Sequence, residues 1–373
     1  MKKAIVSVIN DLATDQRVNR TCTTLLQLGY TVTLVGRNLP NSLILADRPY
    51  FTYRMNLFFK KGPFFYLEYT IRLFFYLLFN KADLLFANDL DTLIPNFMVS
   101  KIKGSKLVYD THELFTEVPE LEQGGFKKQI WTSIEKQLFP QIKTVITVNQ
   151  SIADYYSNLY KKDISVVRNI PHSSNFKNIN LKTRNELGMP TDKRILIMQG
   201  SGINIHRGSE EVLEAMQYID NAVLYIIGGG DVIATLKKMT GELKLNDKVV
   251  FIDKLPFHEL IQYTFNADLG LTLDKANNIN YQFSLPNKLF DYIHCGIPIL
   301  SSQLIEIKKI IDQYQIGDFI PSHNPKDIAD KINAIFKTDS LLKKWKENVK
   351  IAKSDLNWEN EEKILISAIK SSE

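Results

Sequence analysis

The sequence predicts two α/β domains, each a parallel sheet covered by helices. Short apolar runs alternate with helical patterns from end to end, the signature of such sheets. A length of 373 residues corresponds to two or three domains at about 150 residues each. The pattern also breaks once, at Arg168-Asn169-Ile170-Pro171-His172-Ser173-Ser174-Asn175, where proline and small polar residues follow a completed strand. The expected domains are residues 1–170 and 171–355, with a final helix at 356–373. The cleft between two such domains is the default ligand site.

In the first half the strands are expected at 4–9, 31–35, 83–87, 106–110, 144–147 and 165–167. The first follows Met1-Lys2-Lys3, but its apolar run stops at Asn10-Asp11, too short for a secretory leader. A helix over about 17–28 places Val18, Cys22, Leu25 and Leu26 on one face, with Gly29 as its stop. In the second half the strands are expected at 194–199, 222–227, 249–252, 268–272 and 297–301. There is no internal repeat.

Residues 50–79 depart from the average: they hold thirteen of the forty aromatics, interleaved with Arg54, Lys60, Lys61 and Arg72. The densest stretch, 64–79, falls short of the about 20 apolar residues of a membrane-spanning helix. It reads either as a helix packed on the sheet or as a basic-flanked aromatic helix resting in a membrane interface.

Composition narrows the function. A hydrophobic fraction of 45% with 23% charged residues excludes disordered, collagen-like and polytopic membrane chains. Net charge is +5, which suits an anionic ligand or a membrane surface and falls short of a nucleic-acid footprint. Cys22 and Cys295 cannot form a disulfide framework, so a reducing cytoplasm is expected; both lie on apolar helical faces, as small core residues do.

Ligands of open parallel sheets sit at the carboxyl ends of the strands, so the residues after each strand are the candidates. After 194–199 comes Gln199-Gly200-Ser201-Gly202-Ile203-Asn204-Ile205-His206-Arg207-Gly208. Its glycines leave amides open to an anion, and Arg207 precedes a helix start where a guanidinium can fork onto phosphate; the alternative is a glycine-rich turn with a surface arginine. After 222–227 comes Gly228-Gly229-Gly230-Asp231, a tight turn beside a ligand. Position six is Ile233 here and Ile205 in the Gly200/Gly202 pair, so neither completes a dinucleotide fingerprint. In Phe283-Ser284-Leu285-Pro286-Asn287-Lys288-Leu289-Phe290-Asp291, Ser284 suits the cap region and Pro286 the first turn of a helix ending at Gly296. Leu285, Leu289 and Ile293 form its buried stripe. Lys288 and Asp291 share another face, as a surface ion pair or as ligands for phosphate and vicinal hydroxyls. In the first half, Tyr109-Asp110-Thr111-His112-Glu113 puts His112 just past a strand, pointing to the cleft or buried alone. Asn88-Asp89-Leu90-Asp91 contains an Asp-x-Asp pattern used by some metal-dependent transferases. The remaining histidines have no ligand spacing, and no metal is expected.

Together these motifs resemble the GT-B glycosyltransferases, specifically family 4, which retain anomeric configuration and use nucleotide sugars. Asp15-Gln16-Arg17-Val18, Tyr109-Asp110-Thr111-His112-Glu113, the loop closing on Arg207-Gly208, and Leu285-Pro286-Asn287-Lys288 running into Gly296-Ile297-Pro298 are similar in order and spacing. The resemblance implies two Rossmann-like domains facing each other across a cleft, with the last helix, around Trp358 to Ile369, crossing back onto the first. It implies that Arg207 holds the donor diphosphate and that Asp291 binds the ribose hydroxyls as the second acid of an E-x7-E motif. By the same resemblance His112 is expected near the transferred sugar. Gly200, Gly202, Asn204, Gly228 and Gly229 line the donor loop, while Ser284 and Leu285 offer backbone amides. Asp15, Arg17, Asp89 and Glu113 fall on the acceptor side. Four features depart from the pattern: Phe283 stands where the first Glu belongs, Asp291 is one methylene shorter than Glu, Leu12-Ala13-Thr14 replaces a glycine pair, and the donor loop has no second basic residue near Gly202, a charge that Lys288 could supply. The implied donor is UDP- or GDP-linked, with no separate cofactor, and the implied acceptor is a glycan or a prenyl- or lipid-linked hydroxyl. Residues 50–79 would bring the protein to the inner face of the plasma membrane. A sugar-nucleotide epimerase of the same architecture and a non-catalytic sugar-binding relative are the alternatives.

Overall fold

The computed structural model describes residues 1–372 apart from positions 14, 40, 41, 43, 119, 120, 122, 123 and 178. Thr14 of the first-loop segment and Glu373 of the last helix lie outside the described residues. The chain divides into two compact units, the first from Met1 to Asn169 and again from Glu361 onward, the second from Ile170 to Asn360.

The first unit is built on a parallel sheet of Lys3–Ser7 (β1), Thr31–Arg37 (β2), Phe51–Met55 (β3), Leu84–Asn88 (β4), Lys106–Thr111 (β5), Thr144–Thr147 (β6) and Ser165–Val166 (β7), in the order β3-β2-β1-β4-β5-β6-β7. The second has Arg194–Gly200 (β8), Ala222–Gly228 (β9), Val249–Ile252 (β10), Leu269–Thr272 (β11), Ile299–Ser301 (β12) and Gly317–Phe319 (β13), again all parallel, in the order β10-β9-β8-β11-β12-β13. The strand order of each sheet reverses once, between β1 and β4 and between β8 and β11. In open sheets of this kind such a reversal opens a crevice at the carboxyl ends of the strands.

Central strands are buried along their length, β1 from Ala4 to Ser7 and β4 throughout, because helices cover both faces. Two strands have no counterpart in the sequence reading. β3 is an edge strand whose first three residues are exposed, so no alternating burial pattern marks it. β13 is only three residues long, and its Gly317 is demanded by packing: a Cβ there would fall 1.9 Å from the Ile299 carbonyl oxygen.

The aromatic segment forms β3 and a helix, Pro63–Phe79, with proline at its start. Phe65, Tyr69, Leu73 and Leu77 are buried at helical spacing and pack on Ile5, Val35 and Leu85 of the sheet. The opposite face exposes Phe64, Leu67, Ile71, Phe75 and Phe79, and Phe58 and Phe59 before it are exposed as well. One helix thus carries an apolar face on the core and a second apolar face open to its surroundings. No helix among the described residues is long and apolar enough to cross a membrane.

The last helix, Trp358–Ser372, starts in the second unit, where the Trp358 amide donates to the Pro171 carbonyl, and continues into the first. There the Glu361 carboxylate, 1% exposed, receives the Arg168 backbone amide at 2.7 Å and its guanidinium at 2.8 and 2.5 Å, while Thr24 donates to Glu362. A buried carboxylate met by this many donors is costly to pull away, which fastens the final helix to the first unit.

Candidate functional site

In the second unit the loops after β8 and β9 are interlocked at backbone level. Gly200 and Gly228 are paired in register, and a Cβ on Gly228 would sit 1.8 Å from the Gly200 carbonyl oxygen. A Cβ on Gly230 would fall 2.0 Å from the Ile203 oxygen, and one on Gly208, which has φ +72°, 2.4 Å from the Leu273 oxygen. The glycines are therefore required for close approach. The two loops also spend backbone groups on each other: the Gly229 N–H donates to the Gly200 carbonyl, and the Ile203 amide donates to the Gly229 carbonyl. Asn204 is engaged too: its side-chain oxygen accepts from the Asp231 amide, and Asp231 accepts from the Ile205 amide. Gly202 lies on the same loop.

This loop delivers Arg207. Its Nη1 donates to Asp274 Oδ1 at 3.0 Å, and its guanidinium carbon lies 4.8 Å from the centre of the Tyr281 ring. Lys288 reaches the same carboxylate from the helix Asn287–Cys295, with Nζ 3.6 Å from Oδ2. Asp274 is 1% exposed, against 27% for Arg207 and 14% for Lys288. Burial by itself would raise its pKa, but the Lys288 and Arg207 charges outweigh that, together with hydrogen bonds from Arg207 and Thr272, and hold the carboxyl below its usual range. Arg207 follows β8 and Asp274 follows β11, so the pair bridges the two strands where the sheet order reverses. The Arg207 Nε and the Ser284 Oγ are buried without a hydrogen-bond partner, an arrangement suited to an incoming polar group.

The start of the Lys288 helix differs from expectation. Pro286 occupies the cap position and Asn287 is the first helical residue. The Ser284 amide is not open, since it donates to the Tyr281 carbonyl, and Leu285 packs partly buried against the core. Leu289 and Ile293 are fully buried, as the stripe requires. Asp291 Oδ2 accepts from Gln199 Nε2 at 3.1 Å, and Gln199 Oε1 accepts from the Thr264 hydroxyl at 2.7 Å. Sequence alone does not single out Asp274, Tyr281 or Thr264, and it shows Gln199 only as the first residue of its loop; Asp274 has a signal, since it lies just past a recognised strand.

In the first unit the residues after β4 and β5 form a charged chain. The His112 amide donates to Asp89 Oδ1 at 2.9 Å, its Nδ1 lies 3.1 Å from Asp89 Oδ2, and its Nε2 lies 3.3 Å from Asp110 Oδ2. Asp89 holds φ +59°, rare for a non-glycine residue. Arg17 forks onto Asp110 at 2.8 and 2.7 Å and donates to the Val167 carbonyl. Arg17 is only 4% exposed, and the Asp15 side chain caps the first helix by accepting from the Val18 amide. Both residues are thus used internally, where the resemblance placed them toward an acceptor. Glu113 accepts the Thr111 hydroxyl through its backbone carbonyl.

Charges decide protonation here. Burial disfavours an imidazolium at His112, but Asp89 and Asp110 outweigh it and raise its pKa well above the ordinary value. Burial likewise opposes the Asp110 carboxylate, yet Arg17 and His112 lower its pKa to about 2. Asp91, buried in the first turn of the helix Leu90–Lys103, is pushed well up by burial and by the Asp89 charge. The Asp-x-Asp pattern thus splits into one partner for His112 and one interior carboxyl. Among the described residues no group of three or more His, Cys, Asp or Glu is placed to hold a metal ion.

Two parallel sheets of Rossmann type with these loops define the fold of GT-B glycosyltransferases. Residues 15–170 match the Glycosyltransferase Family 4 model and residues 180–352 match Glycosyl transferases group 1; the chain belongs to the GT-B glycosyltransferases of the family 4 kind. It is 24% identical over 207 residues to N-acetyl-alpha-D-glucosaminyl L-malate synthase of Bacillus anthracis, a match covering 54% of this chain and 52% of that one, so it spans about half the length of that relative. Among solved structures, sucrose-phosphate synthase of Thermosynechococcus elongatus is similar with a TM-score of 0.79 at 16% identity, covering 100% of this chain and 99% of that one. HepE of Anabaena, solved in complex with UDP-glucose, is similar with a TM-score of 0.74 at 14% identity, covering 100% of both chains. At these identities the two structures speak to fold.

The His112 pair has a pH consequence. A histidine whose native pKa lies above its unfolded value near 6.5 contributes stability that is complete below that value and is lost as pH rises through the native one. Denaturant titrations from pH 6 to pH 10 should show the native protein losing on the order of 1 kcal/mol more than His112→Gln, in which this group no longer titrates. Parallel pH profiles for the two would contradict the doubly paired imidazolium.

Proposed function

We propose that the protein transfers a sugar from a nucleoside-diphosphate donor to a hydroxyl of a glycan or lipid-linked acceptor, with retention, in the assembly of bacterial surface polysaccharide or glycolipid. The observation that carries this reading is the cation pair Arg207 and Lys288, gathered on one buried carboxylate where the order of the second sheet reverses. When the bond between sugar and diphosphate breaks, negative charge grows on the leaving phosphate. Positive groups fixed beforehand stabilise that charge without reorganising at the moment of reaction. Arg207, held by Asp274 on one side and stacked on Tyr281 on the other, is fixed in this sense, and Lys288 supplies a second charge. Asp291, oriented by Gln199, accepts from the ribose hydroxyls. In the first unit His112 keeps its proton, with both ring nitrogens turned to the carboxylates of Asp89 and Asp110. The UDP-glucose complex of the Anabaena neighbour supports a UDP-linked donor. No side-chain nucleophile is invoked: substitution takes place on one face of the sugar, with a leaving phosphate oxygen accepting the acceptor's proton.

Thermal-shift and calorimetric titration with UDP, GDP, ADP and their sugars should show stabilisation by one of them. Arg207→Ala should then reduce transfer by a factor on the order of 10²–10³, the loss typical of one charge-stabilising donor. Transfer within a few-fold of the native rate would remove Arg207 from the reaction and leave the chain a sugar-binding relative.

A second part of the proposal places the helix Pro63–Phe79 on the inner face of the plasma membrane. Its exposed Phe64, Leu67, Ile71, Phe75 and Phe79 form a stripe, and Phe58 and Phe59 adjoin the exposed Lys60 and Lys61. Apolar anchors beside lysines match the interface of an anionic bilayer. Phe74 and Leu78 belong to the partly buried set on the core side, so the informative changes are Phe58→Ser, Phe75→Ser and Phe79→Ser together. This triple variant should lose most of its co-sedimentation with phosphatidylcholine vesicles containing phosphatidylglycerol, and undiminished binding would contradict membrane docking.

A further inference from the structure

Asp274 has the wrong charge for a group that merely helps to bind a diphosphate. It lies between two cations, at 3.0 Å from Arg207 and 3.6 Å from Lys288, is 1% exposed, and takes a further hydrogen bond from the Thr272 hydroxyl at 3.2 Å. Two cations and one carboxylate leave the cluster at +1, so the carboxylate cancels half of the positive charge offered to an anion. An anionic ligand arriving at Arg207 and Lys288 meets a like charge in direct contact with both cations, in a partly buried setting where water screens weakly.

We infer that Asp274 sets the rate of product release: it keeps Arg207 and Lys288 assembled while the site is empty, and competes with the bound nucleoside diphosphate for both of them so that the product can leave. This rests on the donor reading above. It makes Asp274 a positioning residue, acting through the two cations, and it opposes the intuition that removing a site residue weakens binding. A site with two uncompensated cations would hold the diphosphate so tightly that departure, rather than chemistry, would limit turnover. Tyr281, at 4.8 Å under the guanidinium, keeps Arg207 in place when the Asp274 charge is removed.

The test uses Asp274→Asn, nearly the same shape and still able to accept from Arg207. Calorimetric titration of the full-length protein with UDP, GDP and ADP, at low and at moderate salt, should show the preferred diphosphate bound about tenfold more tightly than by the native protein, as expected for deleting one nearby like charge. The salt dependence should be steeper, and turnover should slow while the first turnover stays fast and shows as a burst. Binding that is unchanged or weaker overturns the inference and leaves Asp274 as a strut. If the native protein binds none of the three diphosphates, the donor reading itself has failed, an outcome distinct from native binding that Asp274→Asn does not tighten. Asp274→Ser carries the same expectation should the Asn variant not fold, with thermal melting as the control.

Discussion

A carboxylate removed from water must be met by cations and donors, and the way Asp274 is met organises the second unit. Its position is set by β11, while its two cations come from the loop after β8 and from the helix that precedes β12. Satisfying one buried charge therefore draws three segments, far apart in sequence, onto the point where the sheet order reverses. The interlocked glycines contribute to the same end, because the loop carrying Arg207 can approach β9 and β11 only where no Cβ intervenes. Local backbone packing and a long-range ion cluster thus agree on a single geometry, the kind of consistency that specifies one structure.

The first unit solves a related problem with the charges reversed. There a histidine lies between Asp89 and Asp110, and Asp110 is also held by a buried arginine from the start of the first helix. The alternation Arg17, Asp110, His112, Asp89 keeps each buried charge beside an opposite one, which offsets a desolvation cost that would otherwise be several kcal/mol per ion. It also fixes the ring orientation of His112, since Asp89 takes both its backbone amide and its Nδ1.

Much of the architecture was legible because parallel strands buried on both faces read as apolar runs, and because the helices between them keep a regular stripe. Strands β3 and β13 escaped for opposite reasons: one is exposed along its first three residues, the other too short to show a pattern. At the site, sequence could name Arg207 and Lys288, since a cation after a strand or at a helix start has a local signature. It could not show that they share a counter-ion, because Asp274 meets them 67 and 14 residues away. Nor could it show that Arg17 turns inward to Asp110, 93 residues on, or that the Gly229 amide is used by the neighbouring loop. Pairings at such separations belong to the fold.

The central claim is that Arg207 and Lys288 form a preassembled seat for the diphosphate of a sugar donor. A crystal structure of the protein soaked with UDP tests it most directly. The account predicts phosphate oxygens within hydrogen-bond distance of the Arg207 guanidinium and the Lys288 ammonium, and the ribose against Asp291. A UDP molecule bound elsewhere, with both cations still engaged only by Asp274, would contradict it.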